Sequence, residues 1–242
     1  MIRVLTLISI MLVTGLYEMR GQCGHPDYPA LMEFYYATGG PNWLDNSGWK
    51  EGAAGTNCDP STWSGVSCDQ SGRVVAIAIP GGNNLNGYIP DLSLPFLTSL
   101  AFTISTSGTI PDFSHLPRLS ILSFAGYGLS GDIHDFSKIP LLTNLAISGI
   151  QKAGKLPKFS KLPNLQSLNL AGNNYSGDIP DYKNHSNLSS LVLDGNPLNI
   201  EMKDFDINKG LYSLSIRDCK LYGSMPDFSN FPNLEYLALN RN

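Results

Sequence analysis

Apolar residues recur along most of the chain at a fixed interval. Pairs separated by one residue stand at Ile77/Ile79, Leu100/Phe102, Leu122/Phe124, Leu145/Ile147, Leu168/Leu170, Leu191/Leu193, Leu214/Ile216 and Leu237/Leu239. Their first members are 23, 22, 23, 23, 23, 23 and 23 residues apart. Leu97, Leu119, Leu142, Leu165, Leu188, Leu211 and Leu234 stand three residues before the last seven pairs. Between the pairs a second landmark recurs: GYIPD at 87–91, GTIPDF at 108–113, GDIHDF at 131–136, GKLPKF at 154–159, GDIPDY at 177–182 and GSMPDF at 223–228. Alternation of apolar and outward positions is the period of a strand. The Gly supplies a turn, and Ile-Pro is a rigid extended step that cannot donate to a ladder. Each unit therefore predicts a short strand and a return loop. One unit cannot bury its own apolar face, so about eight units stack around a shared core, their strands parallel and about 4.8 Å apart.

The chain ahead of the array has a different pattern. Met1 to Gly15 carry one Arg, an apolar run from Val4 to Val13 and then small residues. This is the order of a secretory signal, and the run is too short for a comfortable membrane span. The expected organisation is a signal at 1–15, with cleavage as late as 21, a cap at 22–72 and an array at 73–242. No second apolar run follows, so no membrane insertion is expected within residues 16–242. The secretory context permits disulfides. Cys58 and Cys68 lie close together in NCDPSTWSGVSC and are the expected pair, with Cys23 competing for Cys58 and Cys219 left over.

PNLQSLNLAGNNYSGDIPD at 163–181 resembles the plant-type leucine-rich repeat, LxxLxxLxLxxNxLxGxIP. ALMEFYYATGG, the NW and GW steps, W-x-GV-x-C and GRV within residues 30–79 resemble the N-terminal cap of the same family. The resemblance implies an α/β solenoid, a right-handed superhelix with a parallel concave β-sheet. It also implies a convex side mostly of 3-10 turns and loops, and a small helical N-terminal cap. It covers about residues 23–242 and is far more specific for fold than for function. The ladder Asn of the family stands at Asn83, Asn173, Asn196 and Asn242, and is replaced by Ser105, Tyr127, Ile150 and Cys219. Reshaped turns are expected at Tyr127 and Ile150. Because the sequence stops after Leu237/Leu239, the array is expected to be open at its C-terminal end, covered by further repeats or by a partner.

Composition narrows the chemistry. Gly and Pro number 24 and 16, charged residues make up 15%, and the net charge is −4. Nucleic-acid binders normally carry a basic stripe, so no nucleic-acid partner is expected. GYGLSG at 126–131 matches a dinucleotide fingerprint but lies on a repeat turn without the helix that fingerprint needs. His25, His115, His134 and His185 show no metal spacing. Asp91, Asp112, Asp135, Asp181 and Asp227 recur after the Ile-Pro step; a stacked cation site is conceivable, but the short turn after each Asp favours capping. No catalytic residue, metal or cofactor is expected. Asn174 and Asn184 are expected glycosylation acceptors, and Asn187, also in a sequon, is disfavoured beside a core Leu.

Outward strand positions line the concave face, the usual recognition surface of a solenoid. They are small, neutral and hydroxyl-rich in the early units, and gain Tyr and Arg in the last ones. The expected contact patch is Tyr212, Arg217, Asp218, Glu235 and Tyr236, because Tyr and Arg are enriched at binding hot spots. The resemblance implies a non-enzymatic extracellular recognition module for a protein, peptide or glycan, as in receptor-like ectodomains. Its alternatives are the sensor part of a transmembrane receptor kinase and an inhibitor of a secreted wall-degrading enzyme. A third option is a surface binder for wall polymer or ice, against which Ala, Ile and Asn interrupt the Thr and Ser rows.

Overall fold

The computed structural model describes residues 23–130, 133–150, 154–180, 182–202 and 208–242. The expected signal at 1–15, Asp181 and the last Gly of the 126–131 motif lie outside them.

Eight parallel strands follow the repeat. They are β2 (Val74–Ala78), β4 (Ser99–Thr109), β5 (Ile121–Ser130), β6 (Asn144–Ser148), β7 (Ser167–Asn169), β8 (Ser190–Val192), β9 (Ser213–Ser215) and β10 (Tyr236–Ala238). The register is that of the sequence repeat. Ile77 pairs with Leu100, Leu100 with Leu122, and so through Leu145, Leu168, Leu191 and Leu214 to Leu237. The first seven of these side chains are at most 1% exposed, whereas Leu237 on the outermost strand is 41% exposed. Two strands stand apart from the parallel row. β1 (Val66–Cys68) pairs antiparallel with β2, and β3 (Asn86–Gly87) pairs beside β4.

The cap is built on aromatic packing. Helix α1 (Tyr28–Ala37) and the short α2 (Trp49–Ala53) enclose Phe34, Tyr35, Trp43, Trp49 and Trp63. Trp49 has centroids at 5.2 Å from both Trp43 and Trp63. Phe34 meets Phe102 of β4 at 5.7 Å, and Phe102 stacks on Phe124 at 5.8 Å, so one aromatic chain joins cap to array. In the return loops Phe113, Phe136 and Phe159 form a second row, with centroids 6.3 and 6.2 Å apart.

The expected Cys58–Cys68 disulfide is corrected. Cys23 bonds to Cys58, with their Cα atoms 5.3 Å apart, and Cys68 is a free thiol. Pairing with Val74 in the β1–β2 hairpin fixes Cys68, while the start of α1 carries Cys23 to Cys58. Short sequence separation did not decide the partner.

The unit turns follow their ladder residue. Asn173 accepts from the Ile150 amide at 2.9 Å and donates to the Ile147 and Leu170 carbonyls at 2.7 and 2.9 Å. Asn196 repeats this one unit later. Asn83 does something else, exchanging bonds with the Asp45 backbone and so tying the first turn to the cap. Cys219 reaches the Leu193 carbonyl through its thiol at 3.2 Å. With Ser105 and Tyr127 at this position the turn is replaced by continued strand, and Ser105 pairs with Tyr127. Gly126–Gly128 therefore lie inside β5 rather than on a turn, and among the described residues no helix follows them to hold a pyrophosphate. Ile150 is instead fully buried.

The recurring Asp residues cap their loops: Asp112, Asp135 and Asp227 accept from the amides of Ser114, Ser137 and Ser229 at 2.9, 3.0 and 2.8 Å. Asp91 instead meets the His115 ring at 3.0 Å.

Candidate functional site

The residues that flank each inward Leu, and the residue two before it where the strand begins, line the concave face. Early in the array this face is a row of hydroxyls bound to the preceding strand. Thr98 donates to the Val75 carbonyl at 2.9 Å, Ser120 to Thr98 at 3.0 Å, Thr143 to Ser120 at 3.1 Å and Ser189 to Gln166 at 3.1 Å. A hydroxyl whose hydrogen is used in this way keeps its lone pairs, so it faces solvent as an acceptor.

The last three strands change the chemistry. Asp194 follows β8 and is the anchor. It accepts from the Ser215 hydroxyl at 2.8 and 3.0 Å, the Arg217 amide at 2.8 Å and Arg217 Nε at 2.8 Å. Arg217 Nη2 completes the pair at 2.6 Å. Burial opposes ionisation of Asp194, but the Arg217 amide and guanidinium outweigh it and hold its carboxyl below the usual range. One unit on, Arg241 pairs with Asp218 at 2.8 Å. Asp218 and Arg241 both have left-handed backbones, at φ 54° and 59°, where the three preceding units place Gly149, Gly172 and Gly195. Two charged side chains thus occupy a conformation that favours glycine.

Tyr212 and Tyr236 stand beside this cluster, 50% and 49% exposed. Both the Glu235 and Tyr236 amides donate to the Tyr212 carbonyl, at 2.9 and 3.1 Å, so the two tyrosines are neighbours in adjacent units. The nearby Glu235 carboxylate raises the pKa of the Tyr212 hydroxyl. The structure brings all five sequence-expected residues to one end of the concave face. Asp194, with its five contacts, was not among the residues the sequence singled out. The available signal was its spacing, 23 residues before Arg217 in the same repeat position.

The glycosylation candidates lie elsewhere. Asn174 and Asn184 are exposed in return loops, whereas Asn187 donates its side-chain amide to the Pro163 carbonyl at 3.2 Å. Asn184 also lines a shallow groove of about 320 Å³ with Lys158, Ser160, Leu162, Pro163 and His185. No group of described residues has the makeup of a metal site, and no described helix is long and apolar enough to cross a membrane.

Repeat, register and cap together define a plant-type leucine-rich repeat solenoid. No family model matches the chain, and no curated protein matches it. Solved structures do. A plant ice-binding protein is similar over 90% of this chain and 80% of its own, with 26% identity and a TM-score of 0.68. The Arabidopsis receptor kinase HAESA, solved with the peptide hormone IDA and the co-receptor SERK1, is similar over 88% of this chain, with 24% identity and a TM-score of 0.66. This chain spans only 41% of that one. The leucine-rich repeat ectodomain of the Arabidopsis thaliana receptor kinase SOBIR1 matches 64% of this chain and 97% of its own, with 26% identity and a TM-score of 0.51.

Proposed function

We propose that the chain is an extracellular recognition module that binds its ligand on the concave face of its last units. One observation carries this reading. The tyrosines, the Asp194–Arg217 pair and the Asp218–Arg241 pair all gather at one end of an otherwise small and neutral face. Aromatic and Arg side chains held in fixed geometry are the composition of a binding hot spot. The receptor neighbour solved with a peptide hormone supports a ligand-binding role, and the Cys23–Cys58 disulfide supports an oxidising compartment. The test is capture of partners from extracellular extract by the wild type and by a Tyr212→Ala/Arg217→Ala variant of unchanged melting temperature. Loss of the captured partner in the variant supports the patch. Equal capture sinks it.

A second reading is favoured by the high mutual coverage with the plant ice-binding protein. Here the ordered hydroxyl row from Thr98 to Ser189 meets a solid, water-like surface. An ice-recrystallisation assay decides it: wild type active, and a Thr98→Val/Thr143→Val variant weakened. No inhibition by the wild type at micromolar concentration removes this reading.

A further inference from the structure

Resting on the concave-face reading, we infer that the ligand of the Tyr212–Tyr236 end is an uncharged oligosaccharide. The charges of the patch cancel among themselves. Arg217 is held by Asp194 and Arg241 by Asp218, leaving Glu235 as the one uncompensated charge on the outward positions of these units. An acidic ligand, whether uronate, sulfate or an acidic peptide, finds no unpaired cation in this cluster. It would also meet the Glu235 carboxylate.

The remaining polar surface specifies donors. The hydroxyls of Thr98, Ser120 and Ser189 spend their hydrogens on the preceding strand and present lone pairs outward, while Thr143 shares its hydrogen between the Ser120 carbonyl and Asn144 Oδ1. Glu235 also only accepts when ionised. A ligand that complements this row must bring many hydrogen-bond donors and no negative charge. Sugar hydroxyls do so. The two half-exposed tyrosines, in adjacent units, supply flat apolar faces for the C–H side of a pyranose ring, while their hydroxyl ends stay polar. A chain lying across the strands then runs from a stacking platform at Tyr212 and Tyr236 onto the acceptor row.

The test uses the secreted full chain with neutral hexasaccharides of glucose and of xylose, with hexagalacturonate, and with a peptide library. Isothermal titration reads the affinity. A neutral hexasaccharide is expected to bind, and Tyr212→Ala or Tyr236→Ala to weaken it about tenfold, the loss of one ring contact. Tyr→Phe at either site retains binding within about twofold, since the stacking face remains. Affinity for an uncharged ligand stays flat between roughly 0.05 and 0.5 M salt, where an ionic contact would be screened. Binding of hexagalacturonate or of peptides alone, weakened by the same Tyr variants, overturns the sugar inference and leaves the concave-face reading standing. Neutral binding untouched by both Tyr→Ala variants overturns the inference as well. No ligand of any class sensitive to Tyr212 or Tyr236 overturns both.

Discussion

The Asp27 carboxylate, 2% exposed, joins the start of α1 to the start of β2. Arg73 grips it through Nε and Nη2, the latter at 2.6 Å, and the Val74 amide donates at 2.8 Å. Burial alone would raise its pKa, but the Arg73 and Val74 bonds prevail and hold it below the ordinary carboxylate range. A depressed folded-state pKa means a contribution complete above the unfolded value, near 4, and lost as pH falls through the folded value. Asp27→Asn is therefore expected to cost about 2 kcal/mol at pH 7, since it removes the charge that the half-buried Arg73 and the Val74 amide share. The variant should also flatten the acid side of the stability curve; urea midpoints at pH 7, 4 and 3 check both. Nothing in the sequence singled out Asp27, because its partner lies 46 residues away with no periodic relation to it. The cysteines were misread for the same reason. Peptide mapping of unreduced protein should recover Cys23 linked to Cys58. Cys68 should alkylate slowly in the native state, because burial and then the nearby Asp59 raise its thiol pKa.

At the scale of the element, each turn depends on one side chain. Asn196 satisfies two backbone amides and two carbonyls in a buried turn. Asn196→Ala leaves them unpaired and is expected to destabilise by about 2–4 kcal/mol. Cys219→Ala removes weaker thiol bonds to the Leu193 and Arg217 carbonyls and is expected to cost about 1 kcal/mol. Urea denaturation of both variants tests the order. The replaced ladder positions were legible as departures, but their outcome was not. Ser105 and Tyr127 pair with each other and extend the sheet, a result that requires two neighbouring units to lose the Asn together.

At the scale of the whole molecule the array behaves as a one-dimensional stack, each unit stabilised by its neighbours. The first unit is sealed by the cap through Phe34 and Phe102. β10 bonds β9 on one side only, and its Leu237 is partly exposed where Leu214 is fully buried. In residues 1–242 expressed alone, amide exchange is therefore expected to be faster at Leu237 and Leu239 than at Leu168 and Leu170, read by mass spectrometry. Equal protection along the array would contradict nearest-neighbour stacking. The proposed binding patch lies at this less protected end, so a ligand seated on Tyr212 and Tyr236 should slow exchange there first.

The sequence by itself determined the stacking and its register. In a parallel solenoid the pairing partner of a residue is its equivalent one repeat away, so a period of 23, with one step of 22, already states which residues align. It also determined which side chains face the core and which line the concave surface, because both follow from strand alternation. Only the tertiary structure decided the cap disulfide, the Arg73–Asp27 tie, and the extended β4 and β5. Those depend on where non-repeating loops come to rest and on how several side chains share one set of donors, which a linear period does not encode.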